Sequence, residues 1–350
     1  MSEIYYKTIE GIDIERVDEI LAGMSKLKVA VIGDIALDIY WRADMTKSEL
    51  SRETPHFPLP VVEEWMSPGG AGNVAANAAA LNPAKISLVG IVGEDWRGNV
   101  LKNELEKRNI DTARVVKNKN RFTNTYCKPL RRGISDVEYE DPRIDFENFK
   151  SLDSEDEQKL INALKCLSSE VDVLCVTDQM RYGCITNAVR DEIMKLSATG
   201  MKVVVDSRDR IGMYENVTLK PNDLEAYKAI GSDKDPKKAG IEELLEIAMT
   251  LSKRNRSPVC MTLGSRGCIY VEDDEAYYIP APKIEPPFDS CGAGDTFLSA
   301  FSCAAALGAK GYEAAVIANI AASVIIKKIG MTGTASVEEI KMRLEKKDEK

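Results

Sequence analysis

From Lys28 onward the chain alternates short apolar, β-branched runs with longer segments of helical period, and this rhythm constrains the fold more than any other feature. The runs VAVIGDIALDIYW, ISLVGIVGED, VDVLCVTD, MKVVVDSRD, VTLKPN and PVCMTLGS carry Gly, Asp or Asn at or near their ends. Their continuous apolar character predicts strands buried on both faces. Between them, GNVAANAAALN, DEQKLINALKCLSS, TNAVRDEIMKLSATG and IEELLEIAMTLSKRN repeat apolar residues near the helical period. Such alternation predicts an α/β fold with a doubly wound, mostly parallel sheet and helices on both faces. Ligands in these sheets bind beyond the carboxyl ends of the strands, so the chemistry is expected where the Gly, Asp and Asn residues collect.

Two polar, Pro-containing segments break the rhythm, at about 41–60 and about 121–145. Their partial alternation allows a small β lid over the site, and surface hairpins without function fit the same pattern. Residues 1–27 read as a charged, amphipathic helical extension, 28–340 as the main domain and 341–350 as a charged tail. With 44% hydrophobic residues in 350, the chain can bury one large domain with an appendage, or two of ordinary size. No apolar run is long enough for a bilayer and the N-terminal stretch lacks a signal-type core, so a cytoplasmic protein without membrane partners is expected. Eight cysteines without a C-x-x-C pair, and His56 as the one histidine, argue for reduced structural thiols and against a Cys/His zinc site. Acidic residues outnumber basic ones by 56 to 47, which gives no electrostatic footprint for nucleic acid. An anionic substrate would need local cations.

The strongest chemical element is Asp289-Ser-Cys-Gly-Ala-Gly-Asp295, a small-residue turn opening into an Ala-rich apolar helix. Gly292, Ala293 and Gly294 would expose backbone N–H groups at the positive end of that helix, an anion hole for a phosphoryl group in transfer. Asp295 at the same turn can accept a proton from a substrate hydroxyl, or simply cap the helix. Pro68-Gly-Gly-Ala-Gly-Asn73 is a second Gly-rich helix start, where Gly69 and Gly70 would let a polyol approach the backbone. Asp34 and Asp38 bracket the end of the first strand and can accept from vicinal hydroxyls or cap a loop. Asn222 and Glu225, at i, i+3, can organise water around Mg²⁺ or form a helix cap. Thr262, Gly264 and Gly267 lie in a strand–turn that either contacts a nucleotide or is a plain hairpin. No G-x-x-x-x-G-K-[ST] is present, and no complete G-x-G-x-x-G dinucleotide fingerprint, which disfavours P-loop and nicotinamide chemistry.

Taken in order, Gly-Asp-x-x-x-Asp (33–38), Pro-Gly-Gly-Ala-Gly-Asn (68–73), Val-Gly-x-x-Gly-x-Asp (89–95), Asn-x-x-Glu (222–225) and Asp-x-x-Gly-Ala-Gly-Asp (289–295) resemble the ribokinase-like (PfkB) carbohydrate kinase family over about Lys28 to Ser336. The resemblance implies a ribokinase-like fold with a β lid, and ATP and Mg²⁺ as cofactors. It implies Asp295 as catalytic base and Gly292, Ala293 and Gly294 as the anion hole. Asp38, Gly69, Gly70 and Asn73 would contact the sugar, with Asp34 beside them. Asn222 and Glu225 would serve the Mg²⁺–phosphate region, and Thr262, Gly264, Gly267 and Asn319 the nucleotide. Asp289, Ser290 and the turn at Gly330 match the family's monovalent-cation site, for which K⁺ is the expected ion. A homodimer joined through the lids is also implied.

Within that family the chain is most similar to kinases that phosphorylate D-glycero-D-manno-heptose 7-phosphate at its anomeric oxygen. The matching stretches are GDIALDIYW (33–41), SRETPHFPLPVV (51–62), PGGAGNVAAN (68–77) and RIDFE (143–147). A phosphorylated acceptor needs cations, and Arg52, Lys128, Arg131, Arg132 and Arg143 are concentrated in the two lid segments, where solvated surface charge is the alternative. The chain departs from those kinases in the acidic stretch 131–141, in Val-Asp-Ser-Arg (205–208) where they carry Asp-Pro-Lys, and in the absence of a nucleotidyltransferase domain from these 350 residues. Ala36 stands where ribokinase itself has Asn. A fructokinase-like or nucleoside kinase of the same family, and a non-catalytic sugar-binding regulator, are the alternatives.

Overall fold

The computed structural model describes residues 5–135, 137–330 and 332–348. Its strands are β1 (Lys7–Thr8), β2 (Lys28–Gly33), β3 (Ile35–Asp44), β4 (Val61–Gly70), β5 (Lys85–Gly93), β6 (Asp111–Asn118), β7 (Asn124–Arg132), β8 (Glu138–Glu140), β9 (Ile144–Phe146), β10 (Val173–Asp178), β11 (Lys202–Ser207), β12 (Thr218–Leu219), β13 (Val259–Thr262), β14 (Cys268–Glu272) and β15 (Glu275–Ile279). Its α-helices are α1 (Ile14–Gly23), α2 (Ala71–Ala80), α3 (Trp96–Glu106), α4 (Ser154–Leu167), α5 (Asn187–Ala198), α6 (Asp223–Ile230), α7 (Ile241–Asn255), α8 (Ala293–Ala306), α9 (Gly311–Ile325) and α10 (Val337–Asp348).

Ten strands form the main sheet in the order β1-β15-β14-β13-β12-β11-β10-β2-β5-β6. Pairing is parallel from β13 to β6, while β14 runs antiparallel to both neighbours. Strand β2 lies between β5 and β10, so the winding reverses there and opens a crevice at its carboxyl end. The strands are buried on both faces, as their unbroken apolar runs predict. Val29 and Val31 enter one core with Val74 of α2, Phe297 of α8 and Ile317 of α9. Their neighbours Ala30 and Ile32 enter the other with Leu164 of α4, Ile193 of α5 and Leu245 of α7. Each fully buried Val, Leu or Ile contributes roughly 1.5–3 kcal/mol of transfer free energy.

A second sheet of five strands forms the lid, in the order β4-β3-β7-β8 with β9 also paired to β7. Only Asp34 separates β2 from β3, so the chain passes from the main sheet into the lid at the switch point. The lid strands extend beyond the insertion expected at 41–60: β3 starts at Ile35 and β4 ends at Gly70, with loop and a 3₁₀ turn (Met45–Lys47) between them. Ile35, Leu37 and Ile39 are fully buried, which is why they read as a continuation of the core strand. Position 136, in the second insertion, lies outside the described residues.

The N-terminal extension is more than helical. Strand β1 pairs in parallel with β15, Lys7 opposite Tyr277, before α1 buries Val17, Ile20 and Leu21 in the first core. The charged tail begins inside α10, whose Ile340 is buried and whose Lys341 pairs with Asp18 of α1 at 2.6 Å. Residues 1–4 and 349–350 lie outside the described residues. No described helix is long and apolar enough to cross a membrane. All eight cysteines are free; Cys166 is exposed, Cys291 half-buried and the rest buried.

Candidate active site

Helix α8 opens on Gly292, whose φ of 77° lies in the left-handed region. A Cβ there would stand 3.1 Å from Asn73 Nδ2, so both the backbone conformation and the space call for glycine. Asp295 follows in the first turn. Its Oδ2 accepts a 2.6 Å hydrogen bond from Asn73 Nδ2 of α2. Asn73 is fixed in turn: Asn77 Nδ2 donates to its Oδ1 at 3.2 Å, and Thr296 donates to Asn77 Oδ1 at 2.7 Å. The two Gly-rich helix starts predicted from sequence thus meet at one carboxylate. Burial pushes the Asp295 carboxyl up to about 7, with Asn73 the main opposing influence and Lys220 a further one.

Lys220, after β12, has its ammonium 3.9 Å from where a Gly294 Cβ would lie and forms a buried 2.9 Å pair with Asp206 of β11. Neither was singled out in the sequence. The only signal was their position at strand ends, in VTLKPN and VVVDS.

On the lid side, Asp38 of β3 faces β4. A Cβ on Gly69 would come within 3.1 Å of Asp38 Oδ2, and one on Gly70, at φ 55°, within 2.3 Å of the Asp34 carbonyl. Lys128 of β7 lies 3.4 Å from Asp38 Oδ1 and donates to Tyr40 Oη at 3.0 Å. Burial raises the Asp38 carboxyl, and Lys128 works against it. Burial alone would lower the Lys128 ammonium, but Asp38 and Tyr40 outweigh it and the group is pushed up. Asp34 is placed differently. Its carboxylate accepts the backbone N–H groups of Gln179 (2.9 Å), Met180 (2.7 Å) and Cys184 (2.7 Å), which ties the loop after β10 to the switch point. It braces this loop, and burial raises its carboxyl to about 6.

Asn222 and Glu225 form a reciprocal capping box at the start of α6, each bond 2.8 Å. Glu225 is raised to about 7 by burial and then by Asp206, with Lys220 opposing. Asn222 bridges to Thr262, which brings the turn carrying Gly264 (φ 58°) and Gly267 (φ 94°) beside α6. Asn319, buried in α9, donates to the Ile279 carbonyl at 3.3 Å and lies 3.5 Å from Cys268 Sγ. Asp289 joins two loops, accepting from Cys291 N at 2.9 Å and from Gly330 N at 3.2 Å. Among the described residues no group of three or more His, Cys, Asp or Glu side chains gathers as a metal cage.

The lid cations are mostly engaged by lid acids. Arg143 holds Asp145 through two 2.7 Å bonds and stacks over Tyr126 at 4.3 Å, and Arg131 pairs with Asp141 at 2.9 Å. Arg52 and Arg132 are exposed and make no ion pair among the described residues.

Residues 26–338 match the description "pfkB family carbohydrate kinase". The chain is 31% identical over 320 residues to the bifunctional protein HldE of a Nitratiruptor species, covering 90% of this chain and 64% of that protein. It is 33% identical over 324 residues to the bifunctional protein HldE of a Caulobacter species, covering 89% and 62%. The chain therefore spans less than two thirds of the length of these relatives. In three dimensions it is similar to phosphofructokinase-2 from Escherichia coli in complex with substrates and products (TM-score 0.72, 17% identity, 91% of this chain and 99% of that one). It is also similar to the ribokinase of Arabidopsis thaliana complexed with ribose and ATP (TM-score 0.67, 19% identity, 91% and 99%). The fold is thus ribokinase-like, and with the match over 26–338 the chain belongs to the pfkB family of carbohydrate kinases.

Proposed function

We propose that this kinase transfers the γ-phosphoryl of Mg·ATP to the anomeric hydroxyl of a heptose 7-phosphate, with Asp295 as the general base. The observation that carries the mechanism is the placement of the Asp295 carboxyl in the first turn of α8, held by Asn73 of α2 at 2.6 Å, where burial raises it to about 7. A base with that affinity for protons takes one from a hydroxyl near neutrality, where an ordinary aspartate would be too weak. The N–H groups of Gly292 and Gly294, at the positive end of α8, would stabilise the phosphoryl oxygens in transit, whereas the Ala293 N–H donates to the Ser290 carbonyl at 3.2 Å and would have to be released to join them. Asp38, Gly69, Gly70 and Asn73 orient the sugar, and the lid excludes water.

Thr262, Gly264, Gly267 and Asn319 are assigned to the nucleotide. Glu225 and Asp206 are acidic neighbours in a buried setting, which fits a divalent cation and its water. Mg²⁺ bound there would neutralise the phosphates, with Asn222 and Glu225 ordering its water shell. Asp289 ties together the loops before α8 and at Gly330, so K⁺ bound between them would act by fixing the anion hole. Exposed apolar side chains on the lid, among them Val61, Val62, Tyr139 and Ile144, support a homodimer through the lids. Dependence on ATP supports a cytoplasmic site of action.

The heptose assignment rests on the similarity to the HldE proteins. It is tested by ADP release against a panel of sugars and sugar phosphates, run beside Asp295→Asn. Turnover of a seven-carbon sugar 7-phosphate, abolished in the variant, supports it. Turnover only with a neutral sugar or nucleoside leaves a kinase with a different acceptor. Sugar binding without any turnover moves the reading to a non-catalytic sugar-binding regulator.

A further inference from the structure

Given an acceptor that already carries a phosphate, on which this step rests, we infer that its phosphate is held by Arg181 and Arg208 in a cavity under the lid rather than by the lid cations. The cavity, of about 300 Å³, is bounded by Asn124 and Tyr126 of β7, by Gln179 and Arg181 after β10 and by Arg208 after β11. It therefore opens at the carboxyl ends of two central strands, facing the lid.

Its position joins the two halves of the site. Tyr126 is the register partner of Asp38 in the parallel pairing of β3 and β7, so both side chains stand on the same face of the lid. Gln179 Nε2 donates to Asp206 Oδ1 at 3.2 Å, and Asp206 pairs with the Lys220 that adjoins Gly294. A sugar held at Asp38 with one end directed at Asp295 can thus extend its other end into this cavity.

The charges point the same way. Lys128, Arg131 and Arg143 each have a carboxylate partner on the lid, and Arg52 and Arg132, though unpaired, do not line the cavity, whereas Arg181 and Arg208 line it and make no ion pair among the described residues. Of the acids on the cavity wall, Asp209 is matched by Lys228 at 2.5 Å, which leaves Glu147 against two guanidinium groups. The backbone carrying them is fixed in advance: Asp34 anchors the loop at residues 179, 180 and 184, and Arg208 N donates to the Asp178 carbonyl at 3.1 Å. Two unpaired, planar donors on a braced frame suit the oxygens of a phosphomonoester dianion, which accepts guanidinium N–H groups in pairs. The Val-Asp-Ser-Arg sequence at 205–208 places Arg208 in this wall.

The test is steady-state kinetics of the wild type, Arg181→Ala, Arg208→Ala and the double variant with a heptose 7-phosphate and with the same heptose lacking phosphate. Both arginines are exposed, so the variants are expected to fold, and thermal melts check this. Each substitution should raise KM for the sugar phosphate about tenfold or more and change kcat and KM for ATP by less than about threefold. The double variant should lose the preference for the phosphorylated sugar. An unchanged acceptor KM in a wild type that does use the sugar phosphate overturns this inference and leaves the proposed activity standing. A rise confined to KM for ATP overturns it too, because the arginines then serve the nucleotide. A wild type that prefers the unphosphorylated heptose overturns both.

Discussion

Asn73 and Asp295 stand 222 residues apart in the sequence and 2.6 Å apart across the interface of α2 and α8. The bond couples the acceptor side of the site to the proposed base. It stabilises the ionised carboxylate and so offsets part of the burial that raises it. Asn73→Ala removes that influence. The acid limb of kcat/KM, expected near pH 7 in the wild type, should move to higher pH, with activity at pH 6 falling more than at pH 9. A pH–rate profile of both proteins measures it, and coincident acid limbs would show that this bond does not tune the base.

Asp295→Asn should lower kcat by about 10²–10⁴-fold, the usual contribution of a positioned base, with nucleotide binding nearly intact. Retention of more than about a tenth of the activity would rule out the role. The same change should stabilise the fold. A carboxyl raised from 3.8 to about 7 favours the native state fully below pH 3.8 and costs stability progressively as pH rises toward 7. The variant should therefore gain on the order of 1–2 kcal/mol over the wild type at pH 8, discounted for the partial solvent access of the site, and nothing at pH 3.5. Chemical denaturation at the two pH values reads the difference.

Asp34→Ala should act on stability first. It leaves three backbone N–H groups, of Gln179, Met180 and Cys184, without their acceptor, at a cost of about 2–4 kcal/mol. Acceptor KM should rise as the loop loosens, while KM for ATP holds. Urea unfolding gives the first quantity and kinetics the second. A variant as stable as the wild type with a large kcat loss would instead place Asp34 in contact with substrate.

What the sequence made legible follows the range of the interactions. The doubly wound core was readable because strands buried on both faces are apolar throughout, as Val29 to Ile32 are, and no partner need be known to see that. The turn at Gly292 was readable because positive φ leaves a glycine behind. The lid boundaries were misread because Ile35, Leu37 and Ile39 are as buried as a core strand and carry no mark of belonging to a second sheet. Lys220 and Asp206 escaped notice because their roles depend on each other. Each is an unremarkable residue at a strand end until the fold sets them 2.9 Å apart. For Asp34 the sequence left loop capping and hydroxyl binding equally open, because the three N–H partners that decide between them lie some 145 to 150 residues away.

The pairing of Lys128 with Asp38 gives a prediction in which charge and pH act together. Both groups are largely buried, with side chains 14% and 8% exposed, so removing one partner strands the other. In Lys128→Met the Asp38 carboxyl loses its main stabilising charge and should rise further. With its partner lost, the buried Asp38 should bind the sugar less well, and acceptor KM should increase about tenfold at pH 8. Protonation of Asp38 weakens it as an acceptor, so the ratio of variant to wild-type KM should widen as pH falls. Tyr40→Phe deletes only the hydroxyl that Lys128 bonds, and about 0.5–1.5 kcal/mol is expected, without the pH dependence. A KM ratio for Lys128→Met that stays flat from pH 6 to 8 would mean that Asp38 binds the sugar without its charge, and that Lys128 serves only the packing of the lid.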